Sequence, residues 1–254
     1  MIVTIDGPAA SGKSTVARLL AEKLGASFLD TGAMYRAVTL AAMQAGVDLN
    51  DQQELLNVAQ KCELGFSVEL DQTKVLLNDV DVTEQIRDPE VTANARYIAG
   101  APDVRAELVR MQRQFAADRE KVVTEGRDQG TVAFADADVK LFLTADPAER
   151  ARRRQADLKA KSHKPRVEDV PPSNRGQSLP QAIRGDGRDT KDDGQSLEQI
   201  QRTIEERDKS DRSRAVGPLK PAEDAVVIDT TALTIDEVVE KLLMLVKERC
   251  SKNS

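Results

Sequence analysis

Short apolar runs alternate along this chain with longer segments in which apolar residues recur every three or four positions. The short runs predict five strands, at Ile2–Ile5, Ser27–Leu29, Lys121–Thr124, Val139–Thr144 and Ala225–Asp229. The longer segments, such as residues 15–25 and the tail 234–249, predict amphipathic helices. Strands that alternate with helices form a parallel sheet with helices on both faces, and ligands bind at the carboxyl ends of such strands. We therefore predict an α/β fold with a five-stranded parallel sheet.

The pattern changes between Cys62 and Arg87. β-forming residues at 64–70 and 74–77 flank the turn Asp71-Gln72, and Val80–Val82 follows a second turn, Asn78-Asp79. This spacing predicts a small antiparallel sheet inserted between the second and third strands. A flap on the acceptor side is the preferred interpretation, and a regulatory insertion is the alternative.

A second change in composition falls between Lys159 and Gln195, where prolines, glycines and charges replace most apolar residues. Such a segment cannot bury enough apolar surface to offset its chain entropy, so we predict a mobile lid between a helix ending near Lys159 and a helix from Leu197 to about Ser210. The predicted organisation is a core at 1–61, the antiparallel insertion at 62–88, core again at 89–158, the extended lid at 159–196, and a lid helix with the last core elements at 197–254.

A phosphate-binding loop follows the first predicted strand. Residues 7–14 match G-x-x-x-x-G-K-[ST], between a strand and a helix as the mechanism requires. Backbone N–H groups in such a loop converge on an anion at the helix N-terminus. Lys13 is expected to reach the β- and γ-phosphates and Ser14 to hold Mg²⁺, with ATP as the phosphoryl donor. The residues expected at the triphosphate are Gly7, Pro8, Ala9, Ala10, Ser11, Gly12, Lys13, Ser14 and Thr15.

Composition limits the partners. The 254 residues carry a net charge of −6, which argues against general binding to nucleic acids or membrane surfaces. An anionic substrate therefore needs local clusters of arginines. Cys62 and Cys250 form no disulfide or metal pattern, and the single histidine, His163, is expected to be a solvated loop residue. No apolar run reaches a membrane span of about 20 residues, and the chain is expected to be cytoplasmic and monomeric.

Two polar motifs point to a second, phosphorylated substrate. The segment 30–36 (D-T-G-A-M-Y-R) places a hydroxyl, a tight glycine turn and Arg36 at the end of the second strand. In the run 206–214, Arg207, Asp211 and Arg214 fall on one helical face. Each motif also fits a purely structural role, the first as a strand-to-helix turn and the second as a surface ladder of ion pairs. A further group, Arg150 and Arg152 to Arg154, is expected on the other side of the lid, where cations would stabilise phosphoryl transfer.

These motifs together resemble bacterial cytidylate kinases, which are nucleoside monophosphate kinases specific for CMP and dCMP. The resemblance rests on the phosphate loop, on D-T-G-A-M-Y-R, on E-G-R-D-Q-G-T-V at 125–132 and on E-R-D-K-S-D-R-S-R-A-V-G-P-L at 206–219. It implies that Arg36, Arg127 and Arg214 grip the acceptor phosphate, that Arg207 and Asp211 address the ribose, and that Thr31 and Tyr35 line the acceptor site with Arg105 and Asp128 against the cytosine. Lys13, Arg127, Arg207 and Arg214 are the residues expected to act in catalysis.

The resemblance has two departures. The family is usually shorter, and the extra length falls in the lid. Relatives often carry a small hydroxyl residue against the base where this chain has Arg96 or a neighbour. The implied reaction is direct, Mg²⁺-assisted transfer of the γ-phosphoryl group of ATP to CMP or dCMP. A different small acceptor on the same fold and a non-catalytic nucleotide-binding regulator are the alternatives.

Overall fold

The computed structural model describes residues 1–69, 72–162 and 196–252. The strands are β1 Ile2–Asp6, β2 Ser27–Asp30, β3 Leu64–Glu69, β4 Gln72–Leu77, β5 Val80–Asp81, β6 Val122–Gly126, β7 Val139–Thr144 and β8 Val226–Asp229. The helices are α1 Lys13–Leu24, α2 Thr31–Ala45, α3 Gln52–Gln60, α4 Pro89–Gly100, α5 Pro102–Ala117, α6 Pro147–Ser162, α7 Leu197–Ser213 and α8 Ile235–Lys252.

Five strands form a parallel sheet in the order β2-β6-β1-β7-β8, which confirms the predicted α/β fold. The first strand lies in the centre, with Thr4 beside Thr124 of β6 and beside Lys140 of β7. The third predicted strand continues past Thr124 to Gly126. Because all five strands run the same way, Asp6, Asp30 and Gly126 come together at one edge of the sheet.

The predicted antiparallel insertion is also present, as the three-stranded sheet β3-β4-β5. Asn78 and Asp79 connect β4 to β5 with φ of 49° and 65°, the two positive values of a tight two-residue hairpin turn. Val75 and Leu77 on the inner face pack into the core formed by α2 to α5. The small sheet therefore shares a core with the helices around it.

Two large apolar cores lie on either side of this arrangement. One joins the central strands to α1 and α8 through residues such as Ile5, Leu20 and Leu242. The other joins α2 to α5 and the small sheet. The edge of the parallel sheet that carries the polar strand ends therefore has a firm support on both sides.

Several predicted local features differ from the structure. Gly32 lies within α2 and forms no tight turn, because the carboxylate of Asp30 caps that helix by accepting from the N–H of Ala33 at 2.8 Å. The helix after the phosphate loop begins at Lys13, and the helix predicted to end near Lys159 continues to Ser162. Most of the predicted lid, 163–195, and His163 with it, lies outside the described residues.

Candidate active site

The phosphate loop curls between β1 and α1 through glycines that cannot be replaced without strain. A Cβ on Gly7 would collide with the backbone carbonyl of Leu143 on β7. Gly12 has φ of 88°, and Ala10, which is not a glycine, has φ of 58°. These left-handed residues turn the chain tightly enough to point the start of α1 at the open edge of the sheet.

Lys13 is buried inside the phosphate loop. The residue is 4% exposed, and its Nζ donates to the carbonyl of Pro8 at 2.7 Å. Burial, and then the charge of Arg127, lower the pKa of Lys13 to about 7. The amine is thus a desolvated group inside the loop, where an added anion would favour its charged form.

The side-chain oxygens of Ser14 and Glu125 are the candidate ligands for a metal ion at this site. The Ser14 hydroxyl donates to Glu125 Oε1 at 2.7 Å, and Glu125 is itself buried at the end of β6. Burial and the neighbouring Asp30 raise the pKa of Glu125. Mg²⁺ in kinase sites is held by one or two protein oxygens with phosphates and water, and this pair fits that requirement. Nowhere in the described ranges do three or more His, Cys, Asp or Glu side chains gather as a metal cluster.

Three arginines, Arg127, Arg207 and Arg214, lie around Asp211, and the charges of Arg127 and Arg207 also act on Lys13. Arg127 Nε donates to Asp211 Oδ2 at 2.9 Å, and Arg214 pairs with the other oxygen of the same carboxylate. Crowding by protein atoms and by Arg127 lowers the pKa of Arg207 to about 10, although the residue as a whole is exposed. Arg36 is a second positive neighbour of Arg207 and pairs with Asp30 at 3.3 Å. One carboxylate therefore organises a cluster that remains strongly positive at neutral pH.

Arg105 and Asp128 pair with each other in a buried pocket beside this cluster. They are 3% and 5% exposed, and the guanidinium carbon of Arg105 lies 5.6 Å from the centre of the Tyr35 ring. Burial raises the pKa of Asp128, and it raises the pKa of Tyr35 to about 12. The resemblance described above implies that both charges face a base. The structure pairs Asp128 with Arg105.

Two buried donors of this region have no hydrogen-bond partner among the described residues. They are the Nε atoms of Arg36 and Arg105. A buried donor without an acceptor is costly, and such atoms in a crevice are candidates for ligand contacts. Thr31, by contrast, donates its hydroxyl to the carbonyl of Glu125 at 2.7 Å, so it joins β2 to β6 directly.

Three groups near the site were not assigned to it from the sequence. Asp6, 4% exposed, accepts from the N–H groups of Gln129 and Gly130 at 2.9 and 2.8 Å, and burial raises its pKa to about 7. Glu125 was noted only as a polar residue after a strand. Gly217 has φ of 60°, and a Cβ there would collide with both Arg105 and Asp128. A polar strand end was the available signal for the two carboxylates, whereas Gly217 had none.

The arginines of α6 differ from the expectation that they face a transferring phosphate. Arg150 is buried against Asp208, Arg152 is exposed and pairs with Glu149, and Arg153 bonds the hydroxyl and carbonyl of Thr230. Arg154 contributes to the positive surroundings of Arg207. Arg96, which stands where relatives often carry a small hydroxyl residue, is exposed, and its guanidinium lies over the ring of Tyr97.

The parallel sheet, the loop after its central strand and the antiparallel insertion are the architecture of a phosphate-loop kinase. The family model described as cytidylate kinase matches residues 3–172 and 182–248, and the chain belongs to that family. The cytidylate kinase of Shouchella clausii is 43% identical over 246 residues, which cover 97% of this chain and 96% of that protein. Those of Rhodopirellula baltica and Vibrio cholerae are each 42% identical over 248 residues, covering 98% of this chain and 93% and 96% of the relatives.

One solved structure illustrates a weak similarity of fold. A gluconokinase from Sinorhizobium meliloti 1021 aligns with 99% of this chain and 93% of its own, at a TM-score of 0.45 and 15% identity. That level of similarity supports no further conclusion. Across residues 1–69, 72–162 and 196–252, no helix is long and apolar enough to cross a membrane.

Proposed function

We propose that this protein transfers the γ-phosphoryl group of ATP to CMP or dCMP, with Mg²⁺, and releases ADP and CDP or dCDP. Membership of the cytidylate kinase family supports the reaction class. The observation that carries the proposal is the positive cluster around Asp211, whose charges also act on Lys13. Near it, the buried Nε atoms of Arg36 and Arg105 have no hydrogen-bond partner among the described residues. Because the whole chain carries a net charge of −6, an anionic substrate needs a local positive cluster of this kind.

The donor half of the site consists of the phosphate loop and Lys13. The triphosphate would displace the Pro8 carbonyl as the partner of the Lys13 ammonium, which would then carry its charge opposite the bridge between the β- and γ-phosphates. Mg²⁺, held by Ser14 and by Glu125 directly or through water, would neutralise charge on the β- and γ-oxygens. The loop glycines keep the backbone close enough for its N–H groups to contact the phosphates.

The acceptor half consists of the arginines and the pocket at Arg105 and Asp128. Arg36, Arg127 and Arg214 would hold the phosphate of the monophosphate, and Asp211 and Arg207 would contact its ribose. Asp128 would accept from the cytosine amino group, while Arg105 would donate to the ring acceptors. The ion pair between Asp128 and Arg105 fixes both side chains for this purpose before substrate enters.

The chemistry follows from the charge of the reactants. The phosphate oxygen of CMP is already an anionic nucleophile, so the reaction needs no covalent enzyme intermediate and no dedicated strong base. Repulsion between the two phosphates is the main obstacle, and Lys13, Arg127, Arg207 and Arg214 would offset it as charge spreads over the transferring oxygens. Catalysis would therefore consist of positioning and electrostatic stabilisation.

An acceptor screen tests the proposal. Purified protein with ATP and Mg²⁺ should release ADP when CMP or dCMP is added, much more slowly with UMP, and not with shikimate or gluconate. A preference for any acceptor other than CMP and dCMP would overturn the assignment. Binding of ATP without turnover of any acceptor would favour the non-catalytic regulator instead.

The predicted monomer is tested separately. Light scattering on the same preparation measures the mass of the protein in solution and so gives its oligomeric state.

A further inference from the structure

A buried ion pair joins the two helices after β7 to the phosphate loop. Arg150 of α6 and Asp208 of α7 are 4% and 3% exposed, with Nη1 and Oδ2 2.5 Å apart. Both side chains also bond Ala9 of the loop. Arg150 Nη1 donates to the Ala9 carbonyl at 3.0 Å, and Asp208 Oδ1 accepts from the Ala9 N–H at 3.1 Å. One ion pair therefore satisfies both polar backbone groups of a single loop residue.

Apolar packing surrounds this contact on the same side of the loop. Ala9 shares a small buried cluster with Ala151 of α6 and with Ile200 and Ile204 of α7. The residue after it, Ala10, has φ of 58°, a conformation that L side chains adopt only when the surroundings impose it. The ion pair thus lies next to the point where the loop is least able to keep its shape by local preference.

The pair differs in role from the charges that face the crevice. Arg207, one residue before Asp208, is exposed and belongs to the positive cluster, whereas Asp208 is buried and bonds the loop from behind. Arg150 donates its Nε to the carbonyl of Ala145 at 3.2 Å and its Nη1 to Ala9 and Asp208. The contacts of this pair are therefore with the loop and with the protein behind it.

We infer that Asp208 and Arg150 are positioning residues that hold the phosphate loop in the shape that binds the donor nucleotide. The inference rests on the proposed function, since it names the donor as a nucleoside triphosphate. It assigns the pair to the donor side specifically, although Asp208 lies on the helix that carries the acceptor-side Arg207. Loss of the pair should weaken binding of the donor nucleotide and leave that of the acceptor nearly unchanged.

The test uses the double variant Arg150→Met/Asp208→Asn in the full chain. A single replacement would leave a buried charge without its partner and could unfold the protein, whereas the double variant removes both charges. It should unfold at a temperature near that of the parent protein. Its KM for ATP and its Kd for ADP should rise about tenfold or more, the effect expected from losing charge-assisted hydrogen bonds. Its KM for CMP should stay within about twofold.

The matched control is Arg152→Met, which removes an exposed arginine from the same helix. It should leave both KM values and the ADP affinity as they were. The inference is overturned if the double variant keeps the parent's affinity for ATP and ADP, or if the KM values for ATP and CMP rise together. If the parent protein phosphorylates no nucleoside monophosphate, the proposed function fails. ADP binding by calorimetry still decides the inference in that case.

Discussion

At the residue scale, the crevice is built from charges that neutralise one another across long sequence distances. Asp211 holds Arg127, Asp128 holds Arg105, and each pair joins segments that are 84 and 23 residues apart. The sequence identified these residues by type and by motif, but it could not predict their partners. A carboxylate with several arginines in reach pairs according to burial and geometry, and both are set only when the chain folds.

Replacing Asp128 by Asn should weaken recognition of the cytosine base. An ionised Asp only accepts hydrogen bonds, whereas an amide can turn its N–H₂ toward the uracil oxygen. We expect kcat/KM for CMP to fall by about tenfold or more, and the ratio of kcat/KM for CMP to that for UMP to narrow. Steady-state kinetics with both acceptors measure the ratio. If both rates fell in proportion, Asp128 would support the pocket without contacting the base.

The control for that experiment is Asp211→Ala, at the other carboxylate of the proposed acceptor site. Because Asp211 pairs with Arg127 and Arg214, its loss should lower the rates with CMP and with dCMP. The loss should be larger for CMP, whose 2′-hydroxyl would lose an acceptor, and the ratio of CMP to UMP should not change. The two variants thus separate recognition of the base from recognition of the sugar.

Nucleotide binding should be accompanied by uptake of a proton at Lys13. Its pKa is lowered to about 7 by burial, so at about pH 8 the amine is mostly neutral before the triphosphate arrives. The bound phosphates favour the charged form and raise the pKa, so binding should draw protons from solution. Calorimetry of ATP binding in buffers of different ionisation enthalpy measures this uptake. Lys13→Met should abolish it, and an unchanged uptake in that variant would assign the proton to another group.

At the element scale, the order and type of strands and helices followed from periodicity, while several ends and turns did not. A glycine after a strand favours a turn, yet Asp30 caps α2 and Gly32 enters the helix. Side-chain capping is a local interaction, but it competes with other local preferences of similar size. The antiparallel hairpin was easier to predict because alternation and an Asn-Asp pair agree with each other.

The turn between β4 and β5 offers a test of that element. Asp79 has φ of 65°, and glycine adopts this conformation without the steric strain that a Cβ causes. We expect Asp79→Gly to stabilise the protein by about 0.5 kcal/mol, because Asn-Gly is the residue pair that best suits this turn. The free energy gained by relieving the backbone strain exceeds the cost of the extra conformational entropy that glycine gives the unfolded chain. Denaturant unfolding measures the change. Asp118→Gly, at a residue with φ of −87°, is the control and should give no gain.

At the scale of the whole molecule, Asp6 links the two halves of the site. It ends the central strand just before the phosphate loop and accepts two N–H bonds from the segment after β6, which also carries Arg127 and Asp128. The donor loop and the acceptor residues therefore keep a fixed relation through one buried carboxylate. Its place at the end of a strand is a local signal, whereas its two donors, Gln129 and Gly130, lie 123 and 124 residues later in the chain, so only the fold reveals this link.

The raised pKa of Asp6 predicts how stability depends on pH. Burial raises it from 3.8 to about 7, so the folded protein binds a proton that the unfolded chain has released. This contribution to stability is complete below about pH 4 and is lost as the pH rises through about 7. Asp6→Asn cannot titrate, so the parent protein should lose stability relative to this variant between about pH 4 and 7. Urea unfolding at several pH values measures the difference, and a constant difference would contradict the assignment.

The sequence by itself determined the class of fold, the phosphate loop and the residue types of the acceptor site. Apolar periodicity and short motifs are local properties, and the chain carries them before it folds. The tertiary structure alone decided that Lys13 is buried, that Arg150 and Asp208 pair and both bond Ala9 of the loop, and that Asp128 pairs with Arg105 under Gly217. Burial and pairing depend on which distant segments pack together, and the energy of a charge depends on both.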